Sequence, residues 1–326
     1  SQYSINYHIV TTFILYNKNI FEEVGIEKVP ETVSELLATF QQLQDAGHVP
    51  YGSIGNSFMY ETLGQLGGSV MASLNDQVNP DGGAATYEEV ACAIQRGIYR
   101  YDTELGREWL RLMKEVGKHR TPDWSDKEAN AITKWLNGEI VIVEDGSWRI
   151  KENKLNPHIE FEWGMFFPPY CDTAASPLCT NAPCPPIGGA TGGWALSKGA
   201  RRDDNIDLCI DWVKFLTTPD NCERLVNDLG TVLPAVKGAE PDDPDLQKVI
   251  LSLTDHPGEA AMWTYYDKTD YESRMEVWDL KNAFILDQIS IDEAAVQSDG
   301  VMVAYAESFI ESNEINCEEL GFAAEE

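Results

Sequence analysis

The sequence predicts an α/β protein whose mainly parallel sheet is flanked by helices, and three successive segments lead to this fold class. Residues 9–16 are rich in β-branched and aromatic side chains, which is typical of a strand. Residues 32–46 place their apolar side chains on one helical face, and residues 49–54 form another extended segment. Strand, helix and strand in this order indicate a βαβ unit, in which the two strands run parallel.

Helix-start signals continue along the chain. Thr32 and Glu35 have the spacing of a capping box, in which two side chains satisfy free backbone N–H groups, and Ser125 and Glu128 repeat this spacing. Pro219 has the place of a first helical residue, where a missing N–H group costs nothing. The predicted helices are residues 20–25, 32–46, 87–97, 103–116, 125–138, 203–216, 219–229, 244–253, 273–289 and 291–310.

Residues 135–148 are the stretch around which the chain is organised. A helical pattern ends at Gly138, four apolar residues follow as a buried strand, and a tight turn then presents Trp148 at the carboxyl end of that strand. In open α/β sheets, ligands bind beyond these ends. Trp148, beside Glu144 and Asp145, is therefore a candidate wall of a polar-ligand cleft. The alternative is a core tryptophan that caps the sheet.

A second candidate tryptophan follows a glycine-rich segment. Residues 187–197 predict a glycine-lined strand that presents Trp194. A phosphate cradle is not indicated, because the lysine of a P-loop and the spacing of a dinucleotide-binding loop are both missing. The preceding Pro- and Cys-rich loop, residues 167–186, is the candidate crossover between two lobes.

The charge balance excludes one class of partner. The 326 residues include 54 acidic and 24 basic side chains, which gives a net charge of −30. A nucleic-acid-binding surface needs clustered lysine and arginine to replace counterions, and the sequence has no such cluster. Its longest apolar runs are far shorter than the roughly 20 residues of a membrane helix. We therefore predict neither a nucleic-acid partner nor a direct membrane span.

The cysteines indicate an oxidising compartment. Three of the seven, Cys171, Cys179 and Cys184, crowd one loop with a spacing that does not match zinc sites. An extracytoplasmic location with disulfides explains this density better than a cytosolic one. We expect at least two of these three cysteines to form disulfides, and the odd total leaves at least one thiol unpaired within the chain.

Short motifs are spread over nearly the whole chain. They are LYNKNIF at 15–21, PETVSEL at 30–36, QLGG at 65–68, WLNG at 135–138 with DGSW at 145–148, GGWALS at 192–197, DWVKFLTTP at 211–219, LPAV at 233–236 and SIDEA at 290–294. Together and in this order they resemble the extracellular solute-binding proteins of ABC importers, in the maltose-binding-like branch called family 1.

The resemblance implies a periplasmic-binding-protein fold of type II, with two lobes and a hinge. In that family an opening segment builds most of the first lobe, and this chain starts after it, so the first lobe is expected to be incomplete. The implied division gives residues 1–165 to the second lobe and residues 166–239 to a remnant of the first. Residues 240–326 then return to the second lobe with the C-terminal helices.

The implied function is high-affinity binding of a small polar solute, best a sugar or oligosaccharide, for delivery to the membrane subunits of an ABC importer. The implied location is extracytoplasmic, in the periplasm or at the cell surface, and a lipid anchor through a missing N-terminus is left open. Aromatic rings offer flat apolar faces to a sugar, and carboxylates accept its hydroxyl groups. The expected ligand-binding residues are Trp148, Trp194, Asn56, Phe58, Tyr60, Glu144, Asp145 and Trp278. For Phe58 and Trp278 a core role is an equal alternative, because both lie on apolar helical stripes.

Two rival functions remain open from the sequence, a secreted glycoside hydrolase and a non-catalytic carbohydrate-interaction protein. Glu139, Glu144 and Asp145 are close in sequence, but this spacing does not place two carboxylates across a scissile bond. No nucleophile elbow, zinc-protease motif or P-loop is present. The five histidines stand apart from one another. We therefore predict a protein that is not an enzyme, with no catalytic residue, cofactor or metal.

Overall fold

The computed structural model describes residues 5–52, 70, 72–78, 85–121, 123, 130–181, 188–202, 205–255 and 269–322. The chain divides into two compact units. The first unit comprises Ser1–Ile14, Asp145–Glu160 and Pro186–Pro257. The second comprises Leu15–Glu144, Phe161–Pro185 and Gly258–Glu326. The lobe boundaries that the sequence placed at residues 165 and 239 stay a prediction.

The regular elements confirm the α/β class. The strands are β1 (Ile5–Asn17), β2 (Val49–Gly52), β3 (Ile140–Gly146), β4 (Trp163–Phe166), β5 (Gly188–Trp194) and β6 (Leu233–Pro234). The helices are α1 (Lys18–Val24), α2 (Val33–Asp45), α3 (Asn75–Val78), α4 (Tyr87–Gln95), α5 (Glu104–Gly117), α6 (Ala131–Leu136), α7 (Trp148–Leu155), α8 (Lys198–Arg202), α9 (Ile206–Leu216), α10 (Pro219–Leu229), α11 (Pro244–Asp255), α12 (Tyr271–Ile285) and α13 (Ile291–Ser312). A 3₁₀ turn, Ala72–Leu74, precedes α3.

Local signals located most helix ends correctly. The Thr32–Glu35 capping box is formed at the start of α2, and Pro219 begins α10. The second predicted box, at Ser125 and Glu128, lies outside the described residues. Helix α7 was not predicted, because only two of its eight residues are buried and it lacks an apolar period.

In the first unit, the beginning of β1 pairs with two strands in antiparallel fashion. Ile5 lies opposite Trp194 of β5, and His8 lies opposite both Gly192 of β5 and Pro234 of β6. A small core forms beside this pairing, where buried residues of α10 meet the segment around β6. Its buried members are Cys222, Val226, Val232 and Ala239, with Val10 and Val236 packed against them.

In the second unit, β2 and β3 run parallel, with Tyr51 opposite Ile142. The strand order is β2-β3-β1-β4. The parallel pair of β2 and β3, together with the antiparallel pairs of β1 with β5 and β6, makes the sheet mixed. Helix α2 packs on β2, and α13 packs against α4, α5 and α12.

Two disulfides lie in the described part of the second unit. Cys171 is bonded to Cys179, which confirms that at least two of the three loop cysteines are paired. Cys184 lies outside the described residues. A second bond joins Cys92 of α4 to Cys317, which follows α13 and lies 225 residues further along the chain.

In the part of the chain that the structure describes, no helix combines the length and the apolar character needed to cross a membrane.

Candidate functional site

Trp194 ends β5 with its indole partly open to solvent. Its ring stacks on that of Tyr7 in β1, with ring centroids 5.6 Å apart and planes 28° from parallel. This contact arises where β1 and β5 pair, because Ile5 lies opposite Trp194 and Tyr7 is the extra residue where the register shifts between Asn6 and His8. The Trp194 side chain is still 38% exposed. The pair therefore presents a fixed aromatic surface to solvent.

His8 packs directly beside this pair. Its ring meets Tyr7 edge-on, with centroids 4.3 Å apart. A Cβ atom on Gly192 would lie only 1.8 Å from the His8 ring, so the imidazole rests on bare backbone where glycine alone fits. Burial lowers the pKa of His8 below its ordinary value. The neutral imidazole is therefore the form that this environment favours.

Trp148 is the first residue of α7, and its ring lies over the end of β3. A Cβ atom on Gly146 would approach the Trp148 ring to 2.3 Å, so the glycine permits the indole to fold back on the strand. The turn before it is held by Ser147, whose backbone N–H donates to the carbonyl of Thr11 and whose hydroxyl donates to the carbonyl of Thr231. The Trp148 side chain is half-buried.

Asp145 is fully buried beside Trp148. Burial raises the pKa of its carboxyl group, although Arg149, the Gly146 N–H and the Trp148 side chain all donate hydrogen bonds that oppose this shift. Arg149 also bonds Glu152. The carboxylate thus orients the indole of Trp148, and it is itself paired with a cation.

Replacing Gly146 by alanine should displace the Trp148 ring, because the new Cβ atom would lie only 2.3 Å from it. We expect a loss of about 1–3 kcal/mol in the free energy of unfolding, as for other overpacked sites. Gly300→Ala in α13 is the matched control, since its new Cβ atom meets nothing within 4 Å. That change should stabilise the helix by about 0.5–1 kcal/mol. Equal stabilities of the two variants in urea unfolding would contradict this packing.

Glu144 belongs to a buried polar network in the second unit. Tyr51 donates its hydroxyl to Glu144 Oε2 over 2.9 Å. The guanidinium of Arg120 lies 5.5 Å from the centre of the Tyr51 ring. Burial lowers the pKa of Arg120 to about 10, and the neighbouring Tyr51 and Glu144 limit that shift. The Glu144 side chain is buried with this arginine, inside the unit.

Trp278 is also buried in the second unit, where it faces a lysine. Lys281 Nζ lies 5.0 Å from the Trp278 ring centre, 4.8 Å from that of Tyr101 and 4.2 Å from that of Trp109. Burial holds the pKa of Lys281 well below its usual range. The three rings offset part of the cost of burying this amine.

The remaining expected site residues, Asn56, Phe58 and Tyr60, lie outside the described residues. Across the described ranges, no group of three or more histidine, cysteine, aspartate or glutamate side chains could hold a metal ion.

Sequence comparison decides the family. The model of the bacterial extracellular solute-binding proteins matches residues 1–250. The chain belongs to this family. The resemblance inferred from the eight motif segments and the extracytoplasmic location are thereby confirmed. No curated protein sequence matches this solute-binding protein.

Solved structures show the same fold as this solute-binding protein. A family 1 extracellular solute-binding protein from Bifidobacterium longum subsp. infantis aligns with a TM-score of 0.67 at 16% identity, covering 92% of this chain and 73% of its own. Apo RafE from Streptococcus pneumoniae aligns with a TM-score of 0.63 at 16% identity, covering 93% and 72%. The cyclic α-maltosyl-1,6-maltose binding protein from Arthrobacter globiformis gives 0.61 at 18% identity, covering 94% and 73%. At such identities the likeness concerns the fold alone.

Sequence reasoning missed one member of the aromatic surface of this solute-binding protein. Tyr7 carries no motif, and only the β1–β5 register brings it onto Trp194. The structure also brings Asp145 to Trp148, as their closeness in sequence suggested. It places Glu144 and Trp278 in buried networks of the second unit. Whether the expected site residues bind solute stays a prediction.

Proposed function

We propose that this solute-binding protein binds a sugar or oligosaccharide and delivers it to the membrane subunits of an ABC importer, without chemical turnover. The family supports solute binding. Fold neighbours support the choice of a sugar, because RafE has been solved in complex with raffinose and the Arthrobacter globiformis protein is named for a cyclic maltosaccharide.

The observation that carries the proposal is the open indole of Trp194. A pyranose presents C–H groups on one face, and a flat aromatic ring is the surface that suits them. An exposed tryptophan ordinarily loses side-chain freedom on binding, but the stack on Tyr7 already restricts this ring. The aromatic surface is therefore preorganised for sugar binding.

Trp148 and Asp145 form the second part of the proposed site. The Trp148 side chain is half-buried, so part of it is accessible to a solute, and the orientation of its indole is held by the Asp145 carboxylate. The loop with Asn56, Phe58 and Tyr60 is proposed to contribute hydroxyl-binding and aromatic groups. For Glu144, a solute contact is proposed on its place beside Trp148 in the sequence, and for Trp278 it is proposed on the family resemblance. Both residues are buried, so stability must be measured beside affinity.

Trp194→Ala is expected to weaken sugar binding about tenfold or more, since one stacked ring contributes about 1–3 kcal/mol. The melting temperature should change little, because an exposed side chain leaves no sealed cavity. Isothermal titration calorimetry over a panel that includes raffinose and maltose measures the affinity, and calorimetric melting measures stability.

Trp212→Ala is the matched control. Trp212 is 55% exposed in the same unit and stacks on Phe215. It belongs to the DWVKFLTTP motif, but the resemblance does not assign it to the site. We expect it to leave sugar affinity unchanged. If Trp194→Ala lowers the melting temperature and leaves affinity unchanged, Trp194 is structural and the site lies elsewhere. Chromatography of sugars after long incubation with the protein should recover them intact, and released products would favour the hydrolase alternative.

A further inference from the structure

The His8 ring is the inner end of a row of three rings in the first unit. His8 contacts Tyr7, and Tyr7 stacks on Trp194, whose outer side faces solvent. The His8 ring, at the inner end of this row, has little room to move. The imidazole rests on the backbone of Gly192, and the β1–β5 register shifts on both sides of His8. Such bulges redirect side chains.

The groups around His8 disfavour its charged form. Nδ1 of His8 is buried and has no hydrogen-bond partner among the described residues. The strands that flank it supply no charge, since β5 reads GGATGGW and β6 reads LP. From α10, Cys222 reaches this part of β1, where its thiol donates to the Tyr7 carbonyl, and burial raises its pKa. None of these groups is a carboxylate that could form an ion pair with the protonated His8 ring.

We infer that His8 is the positioning residue for the Tyr7–Trp194 pair and that its protonation disrupts the pair and releases the bound solute at acidic pH. This inference rests on the proposed contact between Trp194 and the solute.

The direction follows from the environment of the ring. The native arrangement disfavours the charged form of His8, so the pKa of His8 there is below its ordinary value of 6.5. In a chain where the three rings have rearranged, His8 keeps its ordinary pKa and binds the proton more strongly. As the pH falls below 6.5, protonation therefore favours the rearranged form, and the native arrangement of the three rings loses population. A solute that needs the Tyr7–Trp194 surface then binds more weakly. By linkage, that solute must also lower the affinity of His8 for its proton by the same factor.

Titration calorimetry of the full chain with raffinose and with maltose, at about pH 7.5 and about pH 5, tests this inference. We expect the wild-type affinity to fall about tenfold between the two conditions, which corresponds to a coupling of about one pKa unit. His8→Gln, which cannot take up the proton, should bind equally at both. His158→Gln is the matched control, because His158 is exposed in the same unit and should behave as the wild type. A pH dependence that persists in His8→Gln, or that is absent from the wild type, overturns the inference.

A second measurement needs neither a known solute nor a folded variant of His8. In NMR spectra of the wild-type chain, the Trp194 indole N–H signal, assigned with Trp194→Phe, should shift with the same midpoint as the His8 ring, below 6.5. If the chemical shift of the Trp194 signal stays constant while His8 titrates, the inference is overturned. If neither sugar binds at about pH 7.5 but the two signals titrate together, the choice of sugar fails and the positioning role of His8 stands.

Discussion

Replacing Cys92 and Cys317 by serine should lower the free energy of unfolding by up to about 5 kcal/mol, the largest effect that we expect for a change outside the binding site. The bond closes a loop with a sequence separation of 225 residues. Its main effect in the chain-entropy model is to restrict the unfolded chain, and the restriction grows with the length of the closed loop. Guanidinium unfolding of the Cys92→Ser, Cys317→Ser double variant measures this loss.

The second disulfide is the internal control for that experiment. Cys171 and Cys179 are separated by 8 residues, for which the same relation gives about 2.5 kcal/mol. The Cys171→Ser, Cys179→Ser variant should therefore lose clearly less stability. If the short-loop variant loses as much as the long-loop variant, the loss comes from native contacts around each bond and not from the unfolded chain.

Glu144→Ala should cost about 3–5 kcal/mol, because it leaves a buried arginine without its carboxylate. Glu144 and Arg120 are 0% and 5% exposed, and Tyr51 would also lose the acceptor of its hydroxyl. Urea unfolding gives the loss of stability, and titration calorimetry on the same variant gives the sugar affinity per folded molecule. The double variant Glu144→Leu, Arg120→Met should recover part of the loss, since both charges are then removed together.

Glu139→Ala provides the comparison for this carboxylate. Glu139 lies just before the same strand, is exposed and accepts a hydrogen bond from Asn137. Its replacement should change stability by less than about 0.5 kcal/mol. A Glu144→Ala protein of normal stability and weakened sugar binding would show that Glu144 contacts the solute directly, as its place beside Trp148 in the sequence suggests.

The parts of the fold that depend on neighbours in sequence could be predicted. The capping box of Thr32 and Glu35, the helix start at Pro219 and the buried strand before Glu144 all follow from residues a few positions apart. The crowding of Cys171 and Cys179 in one loop is a signal of the same local kind. In each case the physical cause lies within one element or one loop.

The parts that depend on register and distant pairing could not be predicted. Tyr7 meets Trp194 only because β1 and β5 pair antiparallel with one particular register. Cys92 and Cys317 are far apart in sequence and are brought together by the packing of α4 on α13. The side on which Glu144 lies could not be read from an alternating pattern either, because every residue of β3 is buried.

The Cys92–Cys317 bond also determines how the protein responds to a protease. Asp145–Glu160 and Pro186–Pro257, which make up most of the first unit, lie between these two cysteines in sequence. A single cut anywhere in those segments therefore leaves the two pieces covalently joined, and a gel run without reductant shows one band of unchanged mass. Separate fragments appear only after reduction. For a protein of the extracellular space, one nick by a foreign protease does not release part of the chain into the medium.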